Sequence, residues 1–105
     1  MMNRAEIEAA LLSDVKNIIN ITWSDQPTDR KVVELIAGGI VYLEEIGGGP
    51  LDFEHAGLPR TLLFEYVRYA RDEALDVFEN NYRHMLLEMR HKQRVNQNVE
   101  SPVET

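Results

Sequence analysis

The sequence predicts an all-α protein, a small bundle of three to four helices with a long C-terminal helix and a flexible tail. Apolar residues recur at steps of three and four along most of the chain, which is the period of helices that bury one face. Charged residues fill the positions between them. Glycine, proline and small polar residues cluster between these periodic segments, as they do in turns between helices.

Composition supports a single folded unit. The chain has 105 residues, 44% of them hydrophobic and 28% charged, which is ordinary globular usage for one small domain with a modest core. It has no cysteine, so disulfides and thiolate metal sites are excluded. The start of the chain is too polar for a secretory leader, and no stretch approaches 18 apolar residues. We therefore expect one soluble, untargeted domain over residues 1–94, with a polar tail over 95–105.

The first predicted helix covers residues 5–20. Its apolar positions follow the helical period: Ile7, Leu11, Leu12, Val15, Ile18 and Ile19. Ser13 offers an alternative N-cap, because serine is a favoured capping residue. In that alternative, residues 1–10 form a helical or loose arm.

A turn-forming segment, SDQPTD, separates this helix from the second. Proline disfavours the α conformation at the residue before it, so Pro27 predicts a loop. Thr28 or Asp29 is then the expected N-cap. The second helix runs to about Ile46, with a buried stripe of Val32, Val33, Leu35, Ile36, Ile40, Leu43 and Ile46.

Glycines mark two points on the second helix. Gly38 and Gly39 lie in its interior, where each costs about 1 kcal/mol relative to alanine. They indicate either close approach of another helix or a flexible point used on assembly. The segment GGGP, residues 47–50, predicts the helix end, after which Leu51 and Phe53 are expected to fold back onto the core.

Residues 58–90 predict one long helix, opened by Leu58-Pro59 and with a candidate bend at Asn80-Asn81. Its predicted buried stripe comprises Leu63, Val67, Ala70, Ala74, Leu75, Phe78, Tyr82, Leu86 and Met89. Ion pairs are expected between Arg68 and Asp72 and between Glu79 and Arg83. Thirty helical residues span about 45 Å, which is more than the width of a compact domain of this size. Part of the helix is therefore expected to meet another chain.

Residues suited to catalysis do not converge along the sequence. His55, His84 and His91 are dispersed, and the glycines of GGGP lack the neighbouring residues of a phosphate loop. His84 and Glu88 have the i, i+4 spacing at which two side chains on one helix face can bind a metal ion. Such pairs are common on solvated helix faces, so the spacing does not indicate a metal site. No serine has a nucleophile-elbow context. We therefore expect no enzyme activity, no cofactor and no metal.

Three features are candidates for partner contacts. The net charge of −7 disfavours binding to nucleic acid, but basic residues cluster late in the long helix: Arg83, His84, Arg90, His91, Lys92 and Arg94. They either complement the helix dipole or meet an acidic partner. Trp23 either plugs the end of the bundle or anchors a protein. Tyr66 and Tyr69 are either core residues or a stacking platform.

The order of these elements resembles the head-tail connector (adaptor) family of long-tailed bacteriophages and related prophage proteins. One stretch that carries the resemblance is LLSDVKNIINITWSDQPTDRKVVELIAGGIVYLEEIGG, which includes Asp25 and Asp29. Another is LDFEHAGLPRTLLFEYVRYARDEALDVFENNY, followed by RHMLLEMR. The second stretch matches the family pattern at Leu58, Pro59, Leu62, Tyr69, Arg71, Phe78, Glu79 and Tyr82. The pair Gly38-Gly39 departs from the family, which has a larger residue at one of these positions.

The resemblance implies a structural protein of the virion, assembled in the host cytoplasm. It implies a ring of about twelve copies that extends the DNA channel beneath the portal protein and offers a platform to a stopper or tail-completion protein. Duplex DNA would only pass through, and no membrane would be involved. A small helical regulatory or protein-binding module is the alternative.

Charge and polarity add two expectations for a ring of this kind. Its bore is expected to be acidic, because a wall that does not hold phosphates lets DNA slide; the candidate channel-lining residues are Glu34, Glu44, Glu45, Asp52 and Glu54. The tail over residues 95–105 is expected to be mobile alone and to become ordered against the portal or a neighbouring subunit.

Overall fold

Four helices form the protein in the computed structural model, which describes residues 4–19, 21 and 25–100. They are α1 (Arg4–Ile18), α2 (Gln26–Gly47), α3 (Leu58–Arg71) and α4 (Leu75–Glu100). The described residues contain no strand, so the predicted all-α bundle is confirmed. The bundle is elongated, with extents of 54 × 33 × 19 Å.

The core lies around α2, which packs against all three other helices. Of the predicted core residues, Leu63, Val67, Phe78 and Leu86 are buried. Ala70, Ala74 and Tyr82 are half-buried at its edge. Residues of all four helices and of the two loops that flank α2 complete the core: Leu11, Val15, Ile19, Ile21, Val32, Ile36, Ile40, Leu43, Phe53, Leu62 and Met89.

The predicted long helix over residues 58–90 is wrong, because the chain turns at Asp72–Ala74. Glu73 has a positive φ of 56°. The amide of Ala74 donates to the Tyr69 carbonyl at 2.9 Å, and that of Glu73 donates to Ala70 at 3.0 Å, which is a Schellman-type helix end. The turn lets α4 fold back and pack against α2 and α3. Helix α4 runs without a break through Asn80-Asn81.

Helix α1 begins at Arg4, so the alternative start at Ser13 is wrong. Polar contacts attach α1 to two other helices. Lys16 Nζ donates to Asp29 Oδ1 at 2.7 Å, and Arg60 Nη2 donates to Asp14 Oδ2 at 2.7 Å. At the end of α1, Arg71 Nη1 donates to the Ile19 carbonyl at 2.6 Å. These contacts position the helix alongside α2 and α3.

The N-cap of α2 is Asp25, not Thr28 or Asp29. Asp25 accepts the backbone amide of Thr28 at 2.9 Å and its hydroxyl at 3.1 Å. Because Thr28 is the third residue of the helix, the carboxylate satisfies an amide that no helical carbonyl can reach. Pro27 fits in this first turn because its missing N–H is not needed there.

The two interior glycines of α2 have different surroundings. A Cβ at Gly39 would lie 2.7 Å from Leu63 Cδ1 and 2.8 Å from Tyr66 Cδ1, so the interpretation of close helix approach is confirmed at this position. Gly38 is exposed, and a Cβ there would lie 3.6 Å from the Tyr66 hydroxyl, an ordinary contact.

The α2 end and the following loop match the sequence predictions. Gly48 forms the left-handed C-cap, with φ of 84°. Leu51 and Phe53 fold back, Leu51 against the core and Phe53 inside it. Their backbone is held in part by Glu44, whose Oε2 accepts the Leu51 amide at 3.2 Å.

Helix α4 continues to Glu100. The helix therefore extends over residues 95–100, beyond the predicted start of the tail, and the flexibility of the tail stays a prediction. Residues 101–105 lie outside the described part of the chain.

Candidate interaction surface

Apolar residues left exposed on α4 mark a candidate interaction surface. Among the described residues, the exposed large hydrophobic side chains are Val41, Leu75, Val77, Leu87 and Val95. Four of these belong to α4, and Leu87 is the most exposed at 54%. Leu75 was predicted to be buried, but the turn before it changes the register of the helix face.

A groove of about 520 Å³ runs between the C-terminal half of α2 and α4. We call it the α2–α4 groove, and it is lined by Tyr42, Ile46, Asp76, Glu79, Asn80, Arg83, Leu86, Leu87 and Arg90. Its apolar part comes from both helices, and its two arginines come from α4 alone. Near the N-terminal end of α4, the Tyr42 hydroxyl donates to Glu79 Oε2 at 2.9 Å. Burial, followed by this bond, raises the pKa of the Tyr42 phenol.

The arginines of the α2–α4 groove have no partner in the part of the chain that the structure describes. Within the described residues, neither Arg83 nor Arg90 forms a hydrogen bond or an ion pair. The predicted pair between Glu79 and Arg83 is therefore wrong, since Glu79 binds Tyr42 instead. The predicted pair between Arg68 and Asp72 is also wrong, because Arg68 lies 3.9 Å from Glu65.

The position of the basic cluster tests one of its two predicted roles, the complementing of the helix dipole. Helix α4 has no basic residue in its last turn, since it continues six residues beyond Arg94. The dipole of a helix acts only within the terminal turn, so the capping role is wrong. Two unpaired arginines beside exposed Leu87 are instead an arrangement suited to a partner with acidic and apolar residues.

The other predicted partner-binding residues lie elsewhere. Lys92 is 3.4 Å from Glu88 and borders a different cavity. Arg94 is exposed and lies on the same stripe of α4 as Arg83 and Leu87 by helical spacing. Trp23 is outside the described residues.

The second cavity, of about 310 Å³, lies where the loop before α3 meets α4, and it includes Asp52, His55 and Lys92. His55 Nδ1 lies 2.9 Å from Asp52 Oδ2. This hydrogen bond lowers the pKa of the Asp52 carboxyl. Both side chains are mostly exposed, at 80% and 58%, so this pair is a surface contact and not an enclosed site.

The five predicted channel-lining acids have different surroundings. Glu34 and Glu45 are exposed on α2, and their spacing of eleven residues places them on the same helix face. Glu44 is half-buried and binds the Leu51 amide. Asp52 and Glu54 lie in the loop, where Asp52 accepts the Glu54 amide at 2.9 Å. Glu34 and Glu45 are therefore the better candidates for an acidic channel wall, because both are exposed on one face of α2.

Tyr66 and Tyr69 are core residues, not a stacking platform. With Tyr42 and Tyr82 they surround the buried ring of Phe78, at centroid distances of 5.2–6.2 Å. Because the faces and edges of these rings pack against one another, they are not available to stack with nucleic-acid bases. The sequence reading that placed their rings in the core is confirmed.

The sequence analysis predicted Arg83 and Arg90 as partner contacts but missed the apolar residues of the α2–α4 groove. Ile46 had been placed in the buried stripe of α2, and Leu87 had no assigned role. One signal was available: Leu86 and Leu87 are adjacent, and a helix that buries a single face cannot bury both. The turn that exposes Leu75 and Val77 had no comparable signal.

The fold and this surface define an α-helical bundle with a candidate protein-binding groove. Within the described residues, no group of three or more metal-ligating side chains is placed to hold an ion, and no helix combines the length and apolar content needed to cross a membrane. Comparisons with protein-family models, curated proteins and solved structures gave no match. The connector family thus remains a resemblance of sequence pattern.

Proposed function

We propose that this protein is a structural head-tail connector of a tailed phage. In this role it forms a ring beneath the portal, extends the DNA channel and links the capsid to a stopper or tail protein. The observation that carries the proposal is the surface of α4, whose exposed apolar residues and unpaired arginines are suited to contact with other chains. The virion would be its location after assembly in the host cytoplasm.

Charge supports the channel part of the proposal. The chain has a net charge of −7, which opposes lasting contact with phosphate backbones. A channel lined by acidic side chains would not hold the DNA. Exposed acids on α2 and in the following loop would supply this lining where they face the bore. Duplex DNA is then a passenger, and no cofactor is needed.

The test is assembly with a portal protein from the genome that encodes this chain. The two proteins are coexpressed, purified and imaged by electron cryomicroscopy, with the mass of the free protein measured by light scattering. A closed ring of about a dozen copies on one face of the portal is the expected result. Phage lacking the chain should package DNA into heads that do not acquire tails.

The alternative is a small helical module that binds one regulatory partner, which the same groove would also serve. It predicts a complex of one copy with one partner from outside the virion, and no ring with the portal. That outcome would overturn the connector proposal.

A further inference from the structure

The turn between α3 and α4 presents a second surface, which we call the acidic corner, residues 72–77. Asp72, Glu73 and Asp76 are exposed there and form no ion pair within the described residues. Leu75 and Val77 are 36% and 43% exposed beside them. The corner therefore combines uncompensated negative charge with apolar area.

The acidic corner and the α2–α4 groove are complementary in charge and in polarity. The groove presents Arg83 and Arg90 around Leu87 and Ile46. More broadly, residues 83–94 contain four basic residues and one acid, whereas residues 1–82 contain seven basic residues and fifteen acids. Carboxylates of the corner can meet the two arginines while Leu75 or Val77 covers Leu87.

One copy cannot make this contact with itself. Leu75 and Leu87 are twelve residues apart on one continuous helix, which separates them by about 18 Å. Asp76 lines the near end of the groove, but the rigid helix keeps the corner away from Leu87 and Arg90. The natural occupant is therefore the corner of a second copy.

We propose that copies of this chain associate head to tail, with the acidic corner of one seated in the α2–α4 groove of the next. Two different surfaces in contact generate a ring when the rotation closes. The inference rests on the proposed function and names the two surfaces through which the ring would form.

A charge exchange tests the contact. One variant reverses the groove, Arg83→Glu with Arg90→Glu, and the other reverses the corner at two acids that do not line the groove, Asp72→Lys with Glu73→Lys. Each variant alone should associate at least tenfold more weakly than the unmodified protein, because its two surfaces have the same sign. An equimolar mixture should regain association, since each reversed surface finds its complement. Light scattering in about 0.15 M salt measures the masses, alone and with the portal protein.

The matched control is Arg30→Glu with Lys31→Glu, two exposed basic residues on α2, which gives the same change in net charge as the groove variant. It should associate like the unmodified protein. If the groove variant associates like the unmodified protein, or if the mixture of the two variants associates no better than each alone, the inference about these two surfaces is overturned. The proposal that the protein forms a ring is not affected by that result.

A second measurement does not depend on charge. The chain has no cysteine, so Leu75→Cys and Leu87→Cys can be made as separate single variants, mixed and oxidised. A disulfide requires Cα atoms within about 7 Å. Peptide mapping should find the bond between positions 75 and 87 in clear excess of about half of all disulfides, the share that random pairing gives in an equimolar mixture. Random pairing in a mixture that forms rings would reject only the named surfaces; absence of any ring would reject the connector function as well.

Discussion

At Phe78 the side chains of three helices meet. Its ring lies 6.2 Å from that of Tyr42 on α2, 5.8 Å from Tyr66 on α3 and 5.2 Å from Tyr82 on α4. Phe78 is fully buried, so its removal leaves a cavity that the surrounding large rings cannot easily fill.

We therefore expect Phe78→Ala to lower the free energy of unfolding by about 3–5 kcal/mol, a large fraction of the stability of a small domain. Urea denaturation followed by circular dichroism measures it. Val77→Ala, at the exposed neighbouring position, is the control and should change stability little. An unchanged denaturation midpoint for Phe78→Ala would contradict the assigned core.

Gly38 and Gly39 offer a matched pair of substitutions with opposite expected signs. Gly39→Ala places a methyl 2.7 Å from Leu63 Cδ1, and such overpacking costs about 1–3 kcal/mol. Gly38→Ala meets only the Tyr66 hydroxyl at 3.6 Å and should stabilise the helix by about 0.5–1 kcal/mol. Thermal denaturation of both variants measures the difference. Equal shifts would mean that α3 does not approach α2 at Gly39.

At the scale of elements, the turn between α3 and α4 depends on Glu73. Its φ of 56° is the left-handed conformation in which a side chain is strained and glycine is not. Glu73→Gly should therefore raise the unfolding free energy by about 0.5–1 kcal/mol relative to Glu73→Ala, which loses the same carboxylate but keeps the Cβ. If alanine proved as stable as glycine, the turn would not have this conformation in solution.

Helix periodicity identified most of the elements but not this turn. Residues that bury one face of α2 and α3, such as Ile36, Leu43 and Leu63, were predicted because burial imposes a helical period. The segment DEAL, residues 72–75, contains neither glycine nor proline, and its residues are compatible with a helix interior. The break there results from tertiary packing, which overrides local preference.

The same reasoning explains why the candidate interaction surface was only partly predicted. Arg83 and Arg90 stood out as part of a basic cluster, but the α2–α4 groove exists only because α4 folds back on α2. Sequence spacing describes one helix at a time. A groove between two helices depends on the direction of the connecting turn.

At the scale of the whole molecule, the acidic wall proposed for the ring can be tested on α2. Glu34→Lys with Glu45→Lys should slow or stall genome ejection from assembled phage without preventing ring formation, because lysine binds phosphate. Glu34→Gln with Glu45→Gln is the control at the same positions and should have a smaller effect. Fluorescence of released DNA measures ejection. Tight, salt-sensitive binding of duplex DNA by the unmodified protein would argue against a wall that lets DNA slide.

The arrangement of α1 has a consequence for how the molecule opens. Within the described residues, α1 packs against α2 and α3 and makes no contact with α4, while the aromatic cluster around Phe78 involves only the other three helices. Detaching α1 would break its polar links and expose Leu11 and Val15, yet leave that cluster intact. Amide hydrogen exchange should therefore show two levels of protection, with α1 opening at a lower free energy than the remaining bundle.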